Sequence, residues 1–150
     1  MDILFVCAGN TCRSCMAEAI FNHLNNIENI SAASAGVSVV RDSRTSKNSA
    51  AVVEYNTGVD LSKREAVQLT EKHISDSGLI LTMTNNIKNH LIGWFPNYSN
   101  KIFTLNEYVG VEGEISDPYG GDISVYNNTY NDMQEKIKLL LVKLKEDNGI

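Results

Sequence analysis

The sequence predicts an α/β fold on a mainly parallel sheet, and three observations carry that prediction. Four short apolar runs rich in β-favouring residues recur along the chain, segments with helical periodicity separate them, and no linker, repeat or low-complexity tract interrupts the alternation. The first run, Ile3–Val6, ends at Cys7. Met16, Ile20, Leu24 and Ile27 then recur at steps of four and three, one face of a helix that begins near Ser14. A second run lies around Ile30–Val37, and Ser46 to Asn56 reads as a helix with Gly58 as its stop. "TEKH" opens a short helix on a capping Thr70, before the third run at Leu79–Met83. Thr84 caps a helix through "NNIKNHLIGWF", which Pro96 halts, and the fourth run is Ile102–Leu105. The last helix spans about Ser124 to Glu146, with Ile137, Leu140, Leu141 and Leu144 on one side. Its lysines gather near the C-terminal end, where they complement the helix dipole.

At 150 residues the chain fits one compact domain, residues 1–150, with a real core. A net charge of −5 argues against nucleic acid or an anionic membrane as the general partner, yet permits a small anion in a locally positive pocket. The three cysteines, Cys7, Cys12 and Cys15, cluster in the first tenth of the chain. That clustering suits a reduced compartment with reactive thiols, or a metal, better than a secreted disulfide scaffold. "MDILFVCAGN" lacks a signal-peptide pattern and no apolar run reaches membrane-spanning length, so a cytoplasmic protein is expected.

The chemistry concentrates in "VCAGNTCRS". In parallel α/β sheets ligands bind beyond the carboxyl ends of strands, where helix N-termini converge. Backbone N–H groups of Ala8, Gly9, Asn10, Thr11 and Cys12, followed by a helix start at Arg13 and Ser14, make an anion site. Gly9 permits close approach, and the Arg13 guanidinium binds two oxygens of a phosphate-like group. The same field favours the thiolate of Cys7, aligned for in-line attack on phosphorus, and Ser14 donates a hydrogen bond to the sulfur. Phosphate-loop and dinucleotide glycine motifs are missing, as is H-E-x-x-H. His23, His73 and His90 read as surface side chains, and the C-x-x-C of Cys12 and Cys15 lacks further zinc ligands. Periodicity does not place Trp94, Tyr98 or Tyr108.

These residues resemble the low-molecular-weight protein tyrosine phosphatase signature, C-x-G-N-x-C-R-S. The likeness extends through "MAEAIF", "SAG" at Ser34–Gly36 and "DPYGG" at Asp117–Gly121, and its order covers essentially the whole chain. It implies a single domain with a four-stranded parallel sheet flanked by helices on both faces, a Rossmann-like arrangement. By the same resemblance Cys7 is the nucleophile, Arg13 the phosphoryl clamp and Asp117 the general acid. Cys12 is the reversible disulfide partner of Cys7, no cofactor or metal is needed, and a monomer acts on phosphorylated proteins. Within the family, "GNTCRS", "FTLNEYV" and "DPYGG" are closest to bacterial members acting on phosphoarginine. Thr11 stands where phosphotyrosine members commonly carry a bulkier aliphatic residue, so it is the specificity candidate, with Tyr119 as a pocket wall that suits either substrate. Phosphotyrosine is the alternative. An arsenate reductase is disfavoured because "LTMTNNIKNH" has no cysteine, and a silent binding module because Cys7, Arg13 and Asp117 occur together. Cys15 replaces the family's usual proline. It reads as a passive small residue or as a second redox thiol.

Overall fold

The computed structural model describes residues 2–149. Strands β1 (Asp2–Cys7), β2 (Ser31–Gly36), β3 (Leu79–Thr82) and β4 (Ile102–Thr104) form one sheet in the order β2-β1-β3-β4. Every pairing is parallel, and the register sets Cys7 opposite Gly36 at the carboxyl edge. The helices are α1 (Arg13–Leu24), α2 (Lys47–Thr57), α3 (Glu71–Asp76), α4 (Asn85–Trp94), α5 (Leu105–Tyr108) and α6 (Ile123–Asp147).

The alternation of β1 divides the core. Ile3, Phe5 and Cys7 join Ile20 and Phe21 of α1, Val53 of α2 and Tyr130 and Ile137 of α6 in the larger cluster. Leu4 and Val6 point the other way, to Ile74 of α3 and Ile87 and Leu91 of α4. The central strand is therefore apolar on both faces, and each fully buried side chain contributes about 1.5–3 kcal/mol. Among the described residues no helix is long and apolar enough to cross a membrane.

Most expected boundaries fall within a residue or two of the observed ones. Helix α1 stops at Leu24, short of Ile27, because the side chain of Asn25 captures the next turn. Asn25 Nδ2 donates to the Ile30 carbonyl at 2.6 Å and Oδ1 accepts from Ile27 N at 2.9 Å. Ile27 remains in the larger cluster without being helical. Two elements went unforeseen, a 3-10 helix at Pro96–Lys101 and α5. The second had a signal, since Thr104 and Glu107 form a capping box on the pattern "TLNE". His73 lies at the surface and closes the capping box of α3, while His90 stacks on Trp94 with centroids 5.4 Å apart. Trp94 is largely exposed, Tyr98 is half-buried beneath the Lys101 ammonium, and Tyr108 tilts against Phe103.

Candidate active site

The chain turns sharply after Cys7, and the turn needs two special residues. Asn10 adopts φ 56°, in the left-handed region that asparagine tolerates better than most side chains. Gly36 on β2 lies so close that a Cβ there would sit 2.6 Å from the Ala8 carbonyl and 2.9 Å from Asn10 N. Carbonyls on the outside of the turn bond away from its centre: Val37 N donates to Cys7 O and Ser38 N to Ala8 O.

A polar network supports this loop from beneath. Asn10 is fully buried, and its side chain is satisfied on both ends. Its Nδ2 donates to Ser14 Oγ at 2.7 Å and Ser34 Oγ at 3.0 Å, and its Oδ1 accepts from Arg64 Nη1 at 3.0 Å and Val67 N at 2.9 Å. Arg64 also donates to Ser34 Oγ at 2.8 Å and pairs with Glu18 at 3.3 Å. Asn10 N donates to Cys7 Sγ at 3.2 Å. Because Ser14 already accepts from Asn10, its own proton is free for Cys7 Sγ, 2.8 Å away. The sulfur thus has two polar neighbours within hydrogen-bonding distance, the Asn10 N–H and the Ser14 hydroxyl.

Helix α1 begins at this point without a side-chain cap. The other α-helices are all capped, by Ser46, Thr70, Thr84, Thr104 and Asp122. Each of those caps accepts from an N–H of the first turn, whereas no side chain does so in α1. Arg13 is buried to 9 % exposure, with Nη1 on the Ile115 carbonyl at 3.0 Å and Nη2 at 3.7 Å from Asp117 Oδ2. Asp117 is more than half exposed, and its other oxygen accepts from Tyr119 N at 3.0 Å.

Cys7 through Arg13, Asp117 and Tyr119 all line one open pocket of about 570 Å³, joined on the far rim by Val40, Ser43, Arg44 and Ser46. Gly121 is fixed by packing, because a Cβ there would meet Val125 at 2.8 Å; Gly120 is fixed by its φ of +81°. The three thiols differ. Cys12 Sγ lies between Ser46 Oγ and Tyr126 OH, each at 3.5 Å. Burial, reinforced by that sulfur contact, pushes the Tyr126 phenol up to about 12. Cys15 lies behind the loop rather than on the pocket, with Sγ donating to the Cys12 carbonyl at 3.2 Å. Burial pushes its thiol up to about 12 as well, so it stays protonated and poorly nucleophilic. Arg64 and Tyr126 had no sequence signal, since each reaches the loop across a long stretch of chain, and Glu18, though close in sequence on α1, acts through Arg64 and Ser34 rather than on the loop itself.

The geometry places the Cys7 thiol in a tight loop between strand and helix, with the Arg13 guanidinium and the exposed Asp117 carboxylate lining the same pocket. The profile of the family described as low molecular weight phosphotyrosine protein phosphatase matches residues 2–149, and the chain belongs to that family. A protein-arginine-phosphatase of Bacillus subtilis is 37% identical over 151 residues, covering 98% of this chain and 99% of that one. A low molecular weight protein-tyrosine-phosphatase, PtpB, of Staphylococcus epidermidis is 40% identical over 141 residues, covering 92% and 97%. Among solved structures, the YwlE arginine phosphatase, as a cysteine-to-serine variant with a phosphorylated active-site serine, superposes with a TM-score of 0.91. It is 36% identical and covers 98% of this chain and 97% of that one.

Proposed function

We propose that this protein is a protein arginine phosphatase working through a phosphocysteine intermediate. In this reading the loop N–H groups and Arg13 hold the phosphoryl oxygens, and Cys7 Sγ attacks phosphorus in line. The P–N bond breaks as Asp117 delivers a proton to the departing guanidine nitrogen. The Asp117 carboxylate then takes a proton from water, whose oxygen attacks phosphorus. The S–P bond breaks, inorganic phosphate leaves, and the Ser14 and Asn10 hydrogen bonds receive the returning thiolate. The phosphorylated active-site serine of the YwlE variant supports a covalent step at that position.

The observation that carries the substrate class is Thr11 in the pocket wall, a small hydroxyl-bearing side chain where a bulkier one would suit a flat phenyl ring. The B. subtilis relative points the same way. The likeness to PtpB and the exposed Tyr119 ring favour phosphotyrosine as the second reading. The rate ratio on matched phosphoarginine and phosphotyrosine peptides decides: equal or faster turnover of phosphotyrosine overturns the arginine assignment. The proposal includes a cytoplasmic monomer without a cofactor, with Cys12 as the thiol that pairs with Cys7 under oxidation. Of the redox candidates Cys12 and Cys15, only Cys12 lines the pocket.

A further inference from the structure

The mouth of the pocket is unevenly charged. Asp117 stands on one side, on a segment that also exposes Glu112, Glu114 and Asp122. The segment 40–47 also borders the pocket and exposes Arg41, Arg44 and Lys47, with Asp42 the one acid among them, although Lys47 lines a separate cavity beside Glu54. Arg44 lines the pocket itself. Its backbone is rigidly held: it bridges antiparallel to Glu65, flanked by Thr45 N to Arg64 O at 3.1 Å and Ala66 N to Ser43 O at 2.9 Å. Ser46 N donates to Thr11 O at 2.9 Å, tying the segment to the anion loop. The Arg44 guanidinium, unlike those of Arg13 and Arg64, has no hydrogen-bond or ion-pair partner among the described residues. Glu65, its backbone neighbour across the bridge, does not pair with it either.

A fixed stem with a free, planar, five-donor head at the rim of a substrate pocket suits a carboxylate on the substrate. The phosphoryl group is already served by the loop and Arg13, and a departing guanidinium faces Asp117. What reaches Arg44 is the chain on either side of the phosphorylated residue. We propose that Arg44 is a specificity-determining residue that selects substrate segments with Asp or Glu beside the phosphorylated residue. The inference rests on the pocket being a phosphoprotein site, but not on which residue carries the phosphate.

The test compares kcat/KM on phosphopeptides of one length bearing Glu, Ala or Lys on either side of the modified residue, made in phosphoarginine and phosphotyrosine versions. For the wild-type protein the Glu peptide is favoured over Ala about three- to fivefold, mainly through KM, and the ratio shrinks in 0.5 M salt. In Arg44→Ala the loss is confined to the Glu peptides, Arg44→Lys restores part of it, and Arg44→Glu shifts the preference to Lys. A wild-type protein indifferent to the flanks, or a preference that survives Arg44→Ala, overturns the proposal. Equal losses on all peptides and on p-nitrophenyl phosphate, which has no flanks, would place Arg44 on the phosphoryl group and overturn it too. The flank preference is read within each peptide series, so a failure of the arginine assignment stays separate from a failure of this one.

Discussion

Two loops meet over the pocket, and they are built on opposite plans. The loop from Ala8 to Cys12 is held from below by Asn10, Ser34, Arg64 and Glu18, so that its donors are fixed before any ligand arrives. The segment from Ile115 to Gly121 is mostly exposed, tied by Arg13 to Ile115 O, by Asn48 Nδ2 to Gly121 O at 3.3 Å and by its own turn at Pro118. Charge stabilisation rewards donors that need not reorganise during the reaction. In the proposed mechanism Asp117 serves first a leaving group and then a water, and needs access to both. The contrast teaches that rigidity is concentrated where charge develops and withheld where molecules exchange.

The largest effect should come from the buried loop. Cys7→Ser should lower kcat at least about 10⁴-fold on any phosphopeptide, read by phosphate release, while leaving the thermal midpoint nearly unchanged. On the exposed segment, Asp117→Asn should lower kcat about 10²- to 10⁴-fold with little change in KM. The effect should be smallest on p-nitrophenyl phosphate, whose leaving group needs no proton. The two loops should separate in stability as well. Arg64→Ala leaves Glu18 and the Asn10 carbonyl short of a donor inside the network, and should cost about 1–3 kcal/mol by urea unfolding as well as reducing kcat. Asp117→Asn, at the exposed carboxylate, should barely move the midpoint. Thr11→Ile should raise the phosphotyrosine-to-phosphoarginine rate ratio several-fold, and an unchanged ratio would remove Thr11 from the argument. Smallest of all, Cys15→Pro should stay within about 1 kcal/mol, since the first helical turn does not need that N–H. In the unaltered protein, iodoacetamide at pH 8 should leave Cys15 unmodified, because a thiol pushed up to about 12 by burial is protonated there.

The legible parts of the molecule share a physical reason. Strand runs, the Ser46 and Thr84 caps and the Gly58 stop are local events, and a few neighbouring residues dictate them. The grouping of Cys7, Asn10, Arg13 and Ser14 was legible for the same reason, because they lie within one turn of chain. Its supports were not. Arg64 reaches Asn10 across 54 positions and Tyr126 reaches Cys12 across 114, distances over which spacing carries no information. Cys15 stayed ambiguous until its burial behind the loop was known, since sequence fixes its neighbours on the helix but not which way the thiol faces.

The bare N-terminus of α1 has a thermodynamic consequence. In the proposed function a bound oxyanion completes the first turn of this helix, so that its last structural component arrives from solution. Inorganic phosphate, the product, is then also a folding ligand: at ten times its dissociation constant it adds about 1.4 kcal/mol to stability. For a chain of this size that amounts to about 3–6 °C in the thermal midpoint. Enzyme stored in phosphate buffer should be sturdier and slower than the same enzyme in a buffer without an oxyanion, and both changes should report one dissociation constant.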